Sequence, residues 1–304
     1  ALAGWLYYYA KAPLNLSPQA QEISIKANSG LKSIANQLVA QKVLPSALPF
    51  VVLAKIMQKE SELQAGDYTL NKNVSPYQLM LSLNHGKSTQ GNITFIEGKT
   101  FKQMRAKLAK NDAVKTTIAD MSDAEVMKLV GQGEKHAEGL FFPDTFYFDR
   151  NTADTVLLKR SYDIMQSKLA QAWQNRAPNL PYKNSFDALI MASIVEKETG
   201  KATERPEIAG VFLNRLRIGM RLQTDPTVIY GMGDNFNGNI RRKDLTTDTI
   251  YNTYTRDGLP PTPIAMPGLA SIEAALNPEK TKALYFVGKG DGSHAFSNSL
   301  VEHN

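Results

Sequence analysis

Gln21-Glu22-Ile23-Ser24-Ile25 alternates polar and apolar side chains with the period of a half-buried strand, and Gly66-Asp67-Tyr68-Thr69-Leu70 is a second short strand. Two helical patterns lie between them. Leu31, Ile34, Ala35, Leu38 and Val39 share one helix face after Ser29-Gly30, and Phe50, Leu53, Ala54 and Met57 mark a second helix over 46–59. Ser75-Pro76 opens a third helix, since Pro in the first turn needs no N–H partner. That helix carries Leu79, Met80 and Leu83 and ends near Gly86. The order β-α-α-β-α predicts a small α+β domain over 21–90, preceded by a Pro-, Ser- and Asn-containing linker within 1–20.

From Asn92 the pattern restarts, and residues 91–304 read as a second, mixed α+β domain. Ile93-Thr94-Phe95-Ile96 is strand-like, and Gly98-Lys99-Thr100 leads into a helix holding Phe101, Met104 and Leu108. Ser122 with Glu125 three positions on is a capping-box signature. Residues 131–150 read as irregular and aromatic. Helices follow over roughly 155–174, 185–199 and 204–218. Ser271–Leu276 is helical, Ala283–Val287 is the strongest strand signal, and Ser299–Asn304 shows no terminal helix. The loops between these last pieces are Gly-, Pro- and Asn-rich, as functional loops often are.

A length of 304 residues suggests about two domains. With 42% hydrophobic and 21% charged residues, disorder is excluded. The absence of cysteine removes zinc ribbons, iron–sulfur sites and thiol nucleophiles, and it does not fix the compartment. The net charge of +6 is small, and its densest clusters, Arg215-Leu216-Arg217 and Arg241-Arg242-Lys243, are too sparse to indicate nucleic acid. No phosphate loop or dinucleotide fingerprint occurs, and His85, His136, His294 and His303 lack metal-ligand spacing. No cofactor and no metal are expected. The opening Ala1-Leu2-Ala3-Gly4-Trp5-Leu6-Tyr7-Tyr8-Tyr9-Ala10 is too short to span a bilayer. It reads either as a short helix packed on the domain or as the interfacial end of a membrane anchor.

The best chemical candidate lies in Ser185-Phe186-Asp187-Ala188-Leu189-Ile190-Met191-Ala192-Ser193-Ile194-Val195-Glu196-Lys197-Glu198-Thr199. On a helical wheel with Phe186 at zero, Glu196 falls at about 280°, among apolar residues, and Glu198 at about 120°, toward water. A carboxyl in apolar surroundings holds its proton to higher pH, which a general acid near neutrality requires. The residues leave a second reading of Glu196 open, a helix-end carboxylate that is partly exposed or paired with a nearby Arg.

The chain resembles a known family. Ala192 to Thr199, Val211-Phe212-Leu213-Asn214-Arg215-Leu216 and Met220-Arg221-Leu222-Gln223-Thr224-Asp225-Pro226-Thr227-Val228-Ile229-Tyr230-Gly231 are similar to the signature of the YceG-like endolytic murein transglycosylases, the MltG proteins. Glu138-Gly139 through Phe142-Pro143-Asp144-Thr145, Tyr251-Asn252-Thr253-Tyr254, Gly258-Leu259-Pro260-Pro261 and His294-Ala295-Phe296 extend the match in order. Pro261-Thr262-Pro263-Ile264 and Met266-Pro267-Gly268 depart from the usual pattern and put local loop shape in question.

The resemblance implies a LysM-like domain at 21–90 and a transglycosylase domain at 91–304. It implies a single-pass inner-membrane protein whose N-terminal helix leaves a remnant at 1–10, within an anchor-and-linker stretch over 1–20, and whose catalytic part lies in the periplasm. Its implied partners are peptidoglycan glycan strands and the penicillin-binding synthases. The implied reaction cleaves the N-acetylmuramic acid to N-acetylglucosamine β-1,4 bond inside nascent strands and leaves a 1,6-anhydro end. Glu196 matches the family's catalytic glutamate. Gln223, Thr224 and Asp225 are candidates to hold the sugar or orient Glu196, with Glu138, Asn252 and Tyr254 lining the cleft and the aromatics of 141–148 stacking a sugar face. Each has a structural rival: turn formation at Asp225-Pro226, loop anchoring by Glu138 and core packing of the aromatics. A hydrolytic muramidase and a non-catalytic peptidoglycan-binding scaffold are the alternatives in function.

Overall fold

The computed structural model describes residues 2–14, 16, 21–26, 28–60, 63–70, 74–84, 91–133, 135–148 and 150–304. Part of the expected linker before residue 21, His85 and the expected helix end near Gly86 lie outside the described residues. The chain divides into two compact units, Ala1–Gly91 and Asn92–Asn304.

In the first unit, β1 (Gln21–Ile25) pairs antiparallel with β2 (Gly66–Leu70), Ile23 facing Tyr68 across the ladder. The alternation of β1 turns Ile23 and Ile25 inward, where they are buried. They meet Ile34, Ala35 and Leu38 of α2 (Leu31–Ala40), Phe50, Val51, Leu53 and Ala54 of α3 (Ala47–Ile56), and Leu79, Met80 and Leu83 of α4 (Pro76–Asn84). Two glutamines fasten α2 to the edge of β1: Gln41 Oε1 accepts from Ser24 N–H and Gln37 Oε1 from Lys26 N–H, both at 2.9 Å. The resulting βααβ unit is the one the alternating segments predict.

The N-terminal helix α1 (Leu2–Lys11) corrects the expected membrane anchor. Ten residues rise about 15 Å, half the roughly 30 Å hydrocarbon thickness of a bilayer. Among the described residues no helix is long and apolar enough to cross a membrane. Instead Ala10 is buried in the core of the first unit, with Leu6 and Tyr9 packed against it. The expected single-pass topology, with the inner membrane as a partner and the localisation drawn from it, is corrected on this point: no described helix supplies the span.

The second unit is built on helices. Its regular elements before the central helix are β3 (Gly91–Thr94), α5 (Phe101–Ala109), β4 (Val114–Lys115), α6 (Asp123–Leu129), β5 (Thr145–Phe148), β6 (Thr152–Ala153) and α7 (Asp154–Gln174). β3 pairs with β5, and β4 runs parallel to β6. The strand β5 arises within a stretch that reads as irregular, and its Phe146 and Phe148 are buried. Phe141 stacks on Phe101 at 4.9 Å between ring centres. These aromatics are core and not a sugar platform; Tyr147, 54% exposed, is the exception.

The central helix is α8 (Ser185–Glu198), started by Asn184, whose Oδ1 accepts from the N–H groups of Phe186 and Asp187. Every residue from Ala188 to Val195 is buried. The helix therefore has no solvent face; α7, α9 (Arg205–Arg217), α10 (Asp225–Met232) and α12 (Leu269–Leu276) all pack on it. A short α11 (Arg242–Thr246) and a hairpin of β7 (Tyr285–Gly288) and β8 (His294–Ser297) complete the unit. A terminal helix, α13 (Leu300–His303), stands where none is expected, its Ser299 cap accepting from Glu302 N–H.

Asp154, at the start of α7, is fully buried and fully engaged. Its carboxylate accepts from the N–H groups of Thr117 at 2.7 Å, Ile118 at 3.2 Å and Thr155 at 2.8 Å, and from the Thr117 hydroxyl. Removing it strands several buried donors at once. Asp154→Ala is expected to lower the unfolding free energy by about 3 kcal/mol, read by urea titration. A loss below 1 kcal/mol would show that water replaces the carboxylate.

Candidate active site

The last turn of α8 carries two carboxylates, and each meets a different set of donors. Glu196 projects toward the N-terminus of α12, where its Oε2 accepts from Gly268 N–H at 3.0 Å and from Ser271 Oγ–H at 2.7 Å. Its Oε1 takes a 3.3 Å ion pair from Arg205, the first residue of α9. Only 6% of the Glu196 side chain is exposed, and 11% of Arg205. The surroundings of Glu196 are thus dry but polar. This corrects the apolar pocket inferred from the wheel and realises the alternative Arg-paired reading.

The loop after β3 forms the next wall. Gly98 N–H donates to Met266 O and Met266 N–H to Lys99 O, both at 2.9 Å, clamping this loop to the segment that leads into α12. Lys197 Nζ reaches Gly98 O at 3.3 Å. One turn earlier on α8, Ser193 Oγ accepts from Ile264 N–H at 3.0 Å and so fixes the same segment from below. The departing stretch 261–268 is therefore held by hydrogen bonds at both ends of its approach to Glu196.

Glu97, exposed on that loop, brings a second carboxyl to the place. A Cβ on Gly268 would stand 1.9 Å from Glu97 Oε1 and 2.3 Å from its Cδ, so the carboxyl fills the space above this glycine. Burial and the neighbouring Glu196 charge push the Glu97 carboxyl up, and Arg205 pulls it back. Glu97, Arg205, Gly268 and Ser271 were all missed by sequence reasoning. An acid beside a loop glycine, a helix-opening Arg-Pro and a helix-capping Gly carry no signal of mutual proximity.

Glu198 does not face water as the wheel placed it. Its Oε1 accepts a short hydrogen bond from Thr224 Oγ–H, and burial pushes its carboxyl up to about 7, with Asp225 adding and Arg215 opposing. The wheel fails because α8 is enclosed on all sides, which leaves its flank no solvent to meet. Thr224 is itself held by Thr253, whose Oγ accepts Thr224 N–H at 3.1 Å, and Thr227 closes the cluster at 2.9 Å from Thr253 Oγ. Gln223 N–H donates to Thr253 O at 3.1 Å, with the Gln223 side chain exposed and its backbone left-handed at φ 48°. Asp225 Oδ1 accepts from the Tyr254 hydroxyl at 2.6 Å. Thus Gln223, Thr224, Asp225 and Tyr254 come together around Glu198.

The two remaining candidates are internal ties. Asn252 is buried, and its Nδ2 donates to the carbonyls of Asp244, Leu245 and Thr247, so it stitches a loop. Glu138 is buried against Phe101 N–H and the Tyr230 hydroxyl, both at 3.0 Å. Beside it, Gly139 sits at φ 78°, where a Cβ would come within 2.3 Å of Pro263. His294 pairs with Glu204 at 2.7 Å, and Glu302 Oε2 accepts from Asn298 N–H, so these end residues serve structure. Among the described residues no cluster of three or more His, Asp or Glu could hold a metal ion.

The YceG-like family profile matches residues 23–304. The chain is 32% identical over 329 aligned positions to an endolytic murein transglycosylase of Bacillus subtilis (strain 168), spanning all of this chain and 89% of that protein. This chain belongs to the YceG-like family of endolytic murein transglycosylases. A second relative, the endolytic murein transglycosylase of Streptococcus pneumoniae serotype 2 (strain D39), is 26% identical; the match covers 93% of this chain and 57% of that one. In structure, the chain is similar to a YceG-like protein from Listeria monocytogenes with a TM-score of 0.58 at 30% identity, covering 94% of this chain and 99% of that one.

Burial raises Glu138 from 4.5 to about 7, against the pull of its Phe101, Tyr230 and Gly139 donors. The folded protein therefore binds this proton more tightly than the unfolded chain. That contribution is full below about pH 4.5 and is lost as pH rises through about 7. Glu138→Gln is expected to flatten the loss of stability between these limits by roughly 3 kcal/mol at most, read by denaturant titration across pH. An unchanged slope would show that Glu138 ionises freely in the folded state.

Proposed function

We propose that the second unit cleaves the β-1,4 bond between N-acetylmuramic acid and N-acetylglucosamine within peptidoglycan strands, with Glu196 as the group that moves the proton. One observation supports this above the others. The Glu196 carboxyl is nearly water-free yet held in one orientation by Gly268, Ser271 and Arg205. A proton-transfer group needs fixed geometry before anything else.

A lytic cleavage requires one such group rather than two. Protonated Glu196 gives its proton to the glycosidic oxygen as the bond from muramic C1 breaks, leaving a free 4-hydroxyl on the glucosamine. The muramic C6 oxygen then closes onto C1, and its proton returns to Glu196. No water is consumed and the carboxyl ends as it began. The charge developing at C1 is relieved by the substrate's own N-acetyl oxygen. Hydrolytic glycosidases, by contrast, need a second carboxyl to activate water or attack the sugar. In this reading Gln223, Asp225 and Tyr254 contact the strand, while Glu138 and Asn252 support the walls. The βααβ unit over 21–90 is a LysM-like glycan-binding domain that precedes the catalytic domain over 91–304 in the chain.

A second reading is favoured by Glu198, which burial places at about 7 and Thr224 holds. The two are separated by substitution. Glu196→Gln is expected to lower the yield of anhydro-ended fragments from purified glycan strands at least 100-fold, the scale of a lost general acid–base group. Glu198→Gln is expected to retain cleavage. The reverse pattern would transfer the role to Glu198. Fragments one water heavier, with reducing ends, would make the enzyme a muramidase.

A further inference from the structure

Glu97 is a carboxyl near Glu196 that the proposed cleavage leaves without a role. It is exposed, it lies against the bare face of Gly268, and that same glycine donates its N–H to Glu196. One residue without a side chain thus brings two carboxyls together. We propose that Glu97 is a positioning residue for the cleavage, sited across Gly268 from Glu196 so that its negative charge opposes early loss of the proton that Glu196 transfers. This rests on Glu196 being the proton-transfer group.

The charges around the pair allow it. Two carboxylates stand near the Arg205 guanidinium, so one proton on either carboxyl leaves the group without net charge. Arg205 comes from α9 and Glu196 from α8, whereas the first turn of α12 brings no acidic side chain and presents its N–H groups instead. On its own loop Glu97 is followed by Lys99, and Lys197 Nζ is held at Gly98 O. Without the Glu97 charge, the positive groups dominate and the remaining proton leaves more readily. The observable is therefore the pH profile of turnover rather than the pKa of either group.

The test is the pH dependence of kcat/KM on glycan strands for the whole chain. Glu97→Gln is expected to move the alkaline limb to lower pH by about one unit, the low end of the effect of a close charge, because Glu97 is partly solvated. Turnover lost at neutral pH should recover as the pH falls. Gly268→Ala offers a second route, since its φ of −76° admits alanine while the new Cβ displaces the Glu97 carboxyl. It should shift the limb in the same direction, and it should add no further shift when combined with Glu97→Ala. An unmoved limb, or a uniform loss at every pH, would overturn the proposal. Retained cleavage by Glu196→Gln would instead overturn the reading on which it rests.

Discussion

Enclosing α8 on every side creates the problem that the surrounding loops solve. The helix ends with its carbonyls and two glutamates together, acidic groups placed where the helix dipole is already negative. Such a terminus in a dry interior is costly unless donors converge on it. They do so from opposite directions: Arg205, Gly268 and Ser271 for Glu196, and Thr224 for Glu198. The α12 N-terminus is well suited to this because its unpaired N–H groups and positive dipole end face a carboxylate.

Many residues that carry the family resemblance hold these loops in place. Arg215 is buried, with Nε and Nη1 donating to the carbonyls of Leu284 and Leu222 at 2.6 Å, while Asn214 Nδ2 bonds those of Thr281 and Ala283. One turn of α9 therefore anchors both the segment before Gln223 and the approach to β7. Thr253 then ties Gln223 and Thr224, and Asn252 gathers three carbonyls of the preceding loop. Buried polar groups fully engaged in this way give loops the rigidity that regular structure gives elsewhere. The two carboxyl centres on α8 can then differ in character although a single residue, Lys197, separates them.

Strand alternation and helix periodicity made the βααβ unit legible in full, because each element shows one face to a single core. The same logic misled at α8. A wheel sorts residues correctly only when one side of a helix is wet, and here Ile190, Ser193 and Ile194 are as buried as Ala188 and Ala192. It therefore assigned Glu196 an apolar environment and Glu198 a wet one, and neither holds. For the aromatic run before α7 the sequence left a sugar platform and core packing open, and Phe141, Phe146 and Phe148 are core in space.

What the chain alone determined is local: strands with period two, the helix cap at Ser122, and the position of a glutamate at the end of a helix. What only the tertiary structure decided is which distant groups share a neighbourhood. Glu97, Arg205 and Gly268 come from three separate loops and helix ends; Arg205 and Gly268 reach Glu196, and Glu97 reaches Gly268, only when α8, α9 and α12 pack. Side-chain periodicity reports the side of an element that is hidden from water, because that depends on neighbours a few residues away. The sharing of a proton, a donor or a charge depends on separations of a few ångströms between segments far apart in sequence, and these are set by packing.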